Sequence, residues 1–355
     1  MEGIEDELNN FTKAVFIISL SLTYCYYISS RIAKGKLRLL SVLPVISIFV
    51  IFPLMSFSSF YLQCNSALCI VWLANFKLVL FAFGKDDNIS INPSIPLLDF
   101  ILVIVFPIKI KESRPTSNST SSRKCAFKLL DFAYALLWSI SVHLRVLYKQ
   151  HVPSMNPIVV HILYFSRIFF GLQIEFASFA ALSKLLTGKE LEPQFKNPLL
   201  PTSLGNFWSK RWNLMFSKSL KSAIHEPTRS LFTPILGRRL AIHPAILATF
   251  VVSGLMHEVM SFYVGRTWPT WELTWFFIIH GLYVTIEVEI KKKASKCGWK
   301  LHPIISTPLT VGFVMSTAIW LAYAEPIHCL ADVREIEEYV ALVDYVKHRL
   351  RNAPN

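Results

Sequence analysis

The sequence predicts an all-α membrane protein, a polytopic bundle of about eight full spans plus one re-entrant or partial helix. Four observations carry this. Of 355 residues, 53% are hydrophobic and 17% charged, against about 25% charged in a soluble domain. Mean hydropathy is +0.45. The apolar residues come in blocks long enough to cross a bilayer, about 20 residues of helix, rather than at helical or strand period. The basic residues behind the net charge of +13 fall in loops between those blocks, the positive-inside pattern.

The blocks run Phe11–Ser30, Leu39–Phe60, Ala67–Phe83, Leu97–Pro107, Leu129–Leu147, Ile158–Leu182, Ala241–Val264, Trp271–Ile290 and Pro303–Ala324. Basic residues follow the first block (Arg31, Lys34, Lys36, Arg38), surround 113–122, fill Lys184 to Arg239 and follow the eighth block (Lys291, Lys292, Lys293, Lys296). If all four basic loops are cytosolic, the short block Leu97–Pro107 must turn back rather than cross, as suits its length. Both termini are then luminal. The Asn118-Ser119-Thr120 sequon is then cytosolic and unmodified. The first block follows an acidic start (Glu2, Glu5, Asp6, Glu7), so it does not read as a removable signal. The chain reads as one membrane-embedded domain, 1–355, with a basic cytosolic segment 184–240 and an interfacial helix near 203–222.

In this setting the positive charge suits anionic headgroups or an anionic substrate; no nucleic-acid motif accompanies it. Cys25, Cys64, Cys69, Cys125, Cys297 and Cys329 form no CxxC pair, so they read as small buried apolar residues rather than a metal or redox centre. No GxSxG elbow or glycine-rich phosphate loop occurs.

Two segments could carry chemistry. The first is Asn197–Asn213, NPLLPTSLGNFWSKRWN. Thr202 or Ser203 can cap a helix starting near Leu204. On a helical wheel Leu204, Phe207, Trp208, Trp212, Met215 and Phe216 share one side, Lys210, Lys218 and Lys221 the other, and Asn213 borders the apolar arc. On pattern alone this is an interfacial helix, with aromatics at headgroup depth and lysines in water. The second is Ala241–Val264, which puts His257 and Glu258 inside a span, where ionisable groups are costly and a functional role is the default. HEVMS is not HExxH, which disfavours a zinc protease. Adjacent helical residues point about 100° apart, so His257 and Glu258 cannot both face one cavity squarely. Ser253 and Gly254, a turn earlier, leave room for substrate. Elsewhere Arg167 and Glu175 are spaced to form a structural pair, His143, His161 and His280 read as structural singletons, and Glu287 and Glu289 read as solvated.

These two segments, NPLLPTSLGNFWSKRWN and SGLMHEV, with RIAKGKLRLLSVLP and VWLANFKLVLFAF as support, resemble the membrane-bound O-acyltransferase superfamily, and within it the plant wax synthase branch. The resemblance runs over most of the chain. It implies a helical bundle of that type in the endoplasmic reticulum membrane, with His257 as the intramembrane catalytic histidine and Asn213 as its partner. It implies substrate contacts around them at Trp208, Arg211, Trp212, Ser253 and Glu258. Relatives that acylate sterols or diacylglycerol carry an acidic residue and two tryptophans where this chain has Lys210-Arg211-Trp212-Asn213. That departure favours a long-chain fatty alcohol over diacylglycerol and leaves sterol open. The partners implied are fatty acyl-CoA as co-substrate, the alcohol or sterol, and membrane lipid, with no metal and no cofactor. The chemistry is self-consistent: histidine can take a hydroxyl proton, an asparagine amide can stabilise an oxyanion, and a dry tunnel excludes water. A transporter would be expected to show inverted repeats or facing intramembrane charges, and neither is visible.

Overall fold

The computed structural model describes residues 2–85, 95–110, 136–140, 156–298, 301–322 and 331–351. Helices are numbered α1 Glu2–Tyr27, α2 Lys36–Ser56, α3 Phe60–Ser66, α4 Asn75–Phe83, α5 Leu97–Val105, α6 Pro157–Thr187, α7 Leu204–Lys210, α8 Leu214–Leu220, α9 Glu226–Leu240, α10 Ile242–Gly265, α11 Glu272–Lys296, α12 Pro303–Thr317 and α13 Ala331–Arg351. Seven stretches among the described residues are long and apolar enough to cross a membrane: Glu5–Arg31, Lys36–Leu54, Phe60–Phe83, Phe165–Thr187, Ile242–Gly265, Glu272–Lys296 and Pro303–Leu321. Each matches a predicted block. The predicted Leu129–Leu147 span and the Asn118 sequon lie outside the described residues, except for the helical stretch 136–140.

Phe60–Phe83 is the central span, its apolar window 83% buried. A helix enclosed on all sides is largely apolar all round, and the few buried polar side chains of this one, Gln63, Ser66, Asn75 and Lys77, are hydrogen-bonded to carbonyls. A π-helical stretch, Ala67–Ala74, interrupts it and is wholly buried. Two further π-helical turns, Lys221–His225 and Ala318–Ala322, occur elsewhere.

The short fourth block forms α5, nine residues long and about 14 Å by helical rise, half the thickness of the hydrocarbon core. Both ends of the segment return to one loop. Asp99, buried in the first turn, pairs with Lys189. After α5 the chain runs extended, Ile110 bridges Leu191, and the Lys109 carbonyl accepts from the Glu192 amide at 2.9 Å. The segment therefore enters and leaves beside residues 189–192, which makes it re-entrant. Its inner end is held by the buried Lys77, whose Nζ donates to the Val103 and Phe106 carbonyls. Those helix-end carbonyls have no intrahelical partner, and a cation there meets the negative end of the helix dipole.

The chemistry-bearing helices α10 and α11 pack on one another through reciprocal glycines. A Cβ on Gly254 would lie 2.8 Å from the Thr274 Cα, and one on Gly281 would lie 2.9 Å from the Phe250 Cβ. The space expected for substrate beside Gly254 is thus filled by α11.

Candidate active site

The interfacial segment folds differently from one continuous amphipathic helix. Leu204 does begin a helix, and the Ser203 hydroxyl caps it by accepting from the Asn206 amide at 3.1 Å. That helix stops at Lys210, and α8 starts at Leu214. The wheel drawn through Asn213 therefore fails: Lys210, Lys218 and Lys221 all border the same chamber as Trp208 and Trp212.

The break makes Asn213 useful. Its backbone is left-handed, φ 42° and ψ 62°, a region asparagine enters more readily than most residues. A residue before a helix usually spends its side chain on the first free amides. Here Gln194 meets them instead: its carbonyl accepts from Leu214 N at 2.9 Å, and its Oε1 from Met215 N at 3.1 Å. The Asn213 amide is left to the chamber, and its Oδ1 is buried without a hydrogen-bond partner among the described residues. A buried polar atom of that kind calls for an occupant. Arg211, expected to touch substrate, does not line the chamber. Its guanidinium binds Asn206 Oδ1 at 2.6 Å and the Asn197 carbonyl at 3.0 Å, tying the preceding loop to α7.

His257 projects from α10 into the same chamber. Its Nδ1 lies 2.7 Å from the Ser253 carbonyl oxygen. A carbonyl can only accept, so Nδ1 carries the proton and Nε2 keeps its lone pair. The ring is held between Trp72, centroids 4.9 Å apart and nearly perpendicular, and Phe277, at 4.4 Å. Ser253 thus borders the chamber and also fixes the tautomer through its backbone.

Glu258 corrects the expectation of a substrate contact. It is 2% exposed and does not line the chamber. Its Oε1 accepts from the Thr274 amide at 2.9 Å, in the first turn of α11. The carboxylate of one helix caps the next, where an anion meets free N–H groups and the positive dipole end. The 100° between adjacent residues puts one side chain in the chamber and the other on the neighbouring helix.

Trp208 lines the chamber and donates its indole N–H to His280 Nδ1 at 3.0 Å. Indole only donates, so His280 carries its proton on Nε2 and gives it to Thr317 Oγ1 at 2.8 Å. Thr317 in turn donates to the Phe313 carbonyl at 2.7 Å. This chain fixes the tryptophan against α11 and α12. Trp212 packs on Phe207 and Phe169, centroids 5.6 and 5.5 Å apart.

The chamber has a volume of about 1470 Å³, beyond the range of about 300–1,000 Å³ for one drug-sized ligand. Its lining is mostly apolar, with charge at two ends. Lys210, Lys218, Lys221, Lys291 and His225 form a basic group in its lining; Arg167 and Glu335 mark the other end, with Glu175 on the wall further in. Burial first, then Arg229 and Lys221, hold the His225 imidazole below its usual range. Lys218 is shared with Glu192, and Lys291 with Glu287 and Ser203. Glu287 is not merely solvated, since it also accepts from the Gly205 amide at 3.1 Å. The expected Arg167–Glu175 pair is absent: Arg167 pairs with Glu335 of α13 at 3.1 Å.

Residues 191–279, which contain both Asn213 and His257, match the model of the membrane bound O-acyl transferase family. The chain is 38% identical over 355 residues to the probable long-chain-alcohol O-fatty-acyltransferase 2 of Arabidopsis thaliana, covering 98% of both. It is 35% identical over 351 residues to the long-chain-alcohol O-fatty-acyltransferase of Simmondsia chinensis, again 98% of both. The chain belongs to the membrane-bound O-acyltransferase family. A further member, the acyl-CoA–sterol O-acyltransferase 1 of Arabidopsis thaliana, is 37% identical over 333 residues, 94% of this chain and 95% of that one. This O-acyltransferase is thus a multi-pass membrane enzyme with an open imidazole and a free carboxamide on one apolar chamber. The sequence did not reveal Trp72, Phe277 or Gln194 as supports, because long-range packing leaves no local pattern.

Proposed function

We propose that the chain transfers a fatty acyl group from acyl-CoA to the hydroxyl of a long-chain alcohol, giving a wax ester and free CoA. The observation that carries this is the His257 tautomer, with an unprotonated Nε2 on an apolar chamber large enough for two lipid chains. The alcohol hydroxyl donates its proton to Nε2 as its oxygen attacks the thioester carbonyl. The Asn213 amide donates to the oxygen as it becomes negative. The C–S bond then breaks, and the imidazolium returns the proton to the departing thiolate. The apolar lining keeps water from intercepting the acyl group. The lysine-lined end suits the anionic CoA headgroup, and the endoplasmic reticulum is the membrane in which we expect the enzyme.

A sterol acceptor is the second reading, favoured by the sterol acyltransferase named above. Expression in a host lacking neutral-lipid acyltransferases, fed fatty alcohol or sterol, separates them. Wax esters from alcohol-fed cells support the proposal, and steryl esters alone would transfer it to sterol. No ester from either would refute it.

A further inference from the structure

Glu175 is a carboxyl group on the chamber wall without a partner among the described residues. Its spacing from Arg167 suits an ion pair, but Glu335 takes Arg167. No hydrogen bond or ion pair engages Glu175 among the described residues. It lies in the apolar stretch Phe165–Thr187, where an ionisable side chain is costly and marks a site by default. It lines the chamber together with Cys64, Leu68 and Trp72 of the central span, and Trp72 packs on His257.

Its depth can be compared with that of His257. Glu175 is eight residues, about 12 Å of helical rise, inward from Arg167. His257 is seven residues, about 10 Å, inward from Val264. The same helix marks both starting points: Arg334 of α13 binds the Val264 carbonyl at 2.6 Å, and Glu335 pairs with Arg167. Glu175 and His257 therefore lie at similar depth. Lys291, one of the lining lysines, is near the far end of α11 from the first turn that meets Glu258.

We propose that Glu175 receives the hydroxyl of the lipid acceptor on its way to His257, as a staging and specificity-determining contact. A carboxyl oxygen accepts an O–H hydrogen bond whether or not the group is ionised, and the acceptor is a hydrocarbon whose hydroxyl is the group to be recognised. A single O–H donates to one acceptor at a time, so it cannot hold Glu175 and His257 Nε2 together in the reactive pose. Glu175 therefore binds before the proton is given up, and makes no bond as the thioester is attacked. The acyl-CoA headgroup, itself anionic, is drawn to the lysine end instead. This rests on the acyl-transfer reading above only for the fate of the hydroxyl; the binding itself is separable.

The test uses full-length enzyme in nanodiscs. In a His257→Ala background, which cannot turn over, binding of labelled hexadecanol, a labelled sterol and hexadecyl methyl ether is measured with Glu175, Glu175→Gln and Glu175→Leu. Hexadecanol binding should weaken about tenfold in Glu175→Leu and less in Glu175→Gln, which keeps an acceptor oxygen. The ether, which has no O–H, should bind weakly and equally to all three. A sterol showing the same dependence would make the hydroxyl of either lipid the ligand; dependence for hexadecanol alone limits it to the fatty alcohol. With His257 restored, Glu175→Leu should raise the KM for alcohol by a similar factor, leaving the KM for acyl-CoA unchanged and kcat within about twofold. Unchanged hexadecanol binding in folded Glu175→Leu overturns the proposal, as does a raised KM for acyl-CoA. Ester formed at unaltered alcohol KM would remove Glu175 and leave the acyl-transfer reading standing. Glu175-dependent alcohol binding without any ester would do the reverse.

Discussion

Removing the Glu258 carboxylate should destabilise the bundle without touching substrate affinity. Glu258 is 2% exposed, and its Oε1 is 2.9 Å from the Thr274 amide at the start of α11. In Glu258→Ala that buried N–H loses its acceptor, at a cost of about 1–3 kcal/mol. The lost interaction with the helix dipole adds up to about 2 kcal/mol in a partly buried setting. A total of about 1–5 kcal/mol is therefore expected. Glu258→Gln keeps an acceptor for Thr274 but puts an NH2 group where Oε2 is buried without a partner, so about 1 kcal/mol should be lost. Unfolding followed by SDS titration in mixed micelles reads both differences. At a temperature where the variants remain folded, the KM for acyl-CoA and for alcohol should each stay within about twofold of the parent. Glu258→Ala with parental stability and a strongly raised KM for either substrate would refute the capping role and restore Glu258 as a substrate contact.

Asn213→Gly, which keeps the left-handed backbone without strain, should lower kcat by about 100- to 1,000-fold, the usual loss for one oxyanion donor. Steady-state kinetics should show little change in the KM for acyl-CoA; full turnover with weakened acyl-CoA binding would contradict the role. Among the mouth lysines, Lys218 and Lys221 face Glu192 and Glu226, whereas no carboxylate engages Lys210 among the described residues. Lys210→Gln should therefore raise the KM for acyl-CoA more than Lys221→Gln, with both effects shrinking at high salt. Gly254→Val should force α10 from α11, because even a Cβ meets Thr274 Cα at 2.8 Å. A loss of about 1–3 kcal/mol is expected by SDS titration, with reduced turnover because His257 lies one turn away.

Much of the fold was legible in the sequence, because spans are set by local composition. Each of the seven apolar stretches coincides with a predicted block, and the short length of 97–107 led to a re-entrant α5. The site was legible as two segments but not as side-chain directions. The helical wheel through 203–222 assumed continuity, and the left-handed Asn213 that breaks it depends on Gln194, 19 residues earlier, occupying the α8 amides. The spacing of Arg167 and Glu175 allowed a pair, yet α13 contributes Glu335 from the far end of the chain. Glu258 was drawn into the site by its neighbour His257, and only the packing of α11 shows that it faces a helix terminus. His280 reads as a structural singleton in the sequence, and its bond to Trp208 lies beyond any local pattern.

The central claim is that His257 Nε2 takes the proton from the acceptor hydroxyl. The most direct measurement is ester formation and CoA release by purified His257→Ala in nanodiscs, with palmitoyl-CoA and hexadecanol, beside binding of both lipids to the same preparation. Turnover should fall by at least about 100-fold, the lower range for loss of a general base, while both ligands still bind and the protein unfolds at the parental SDS fraction. Folded His257→Ala that makes ester at near-parental rate would remove the imidazole from the reaction and, with it, the mechanism proposed for this chamber.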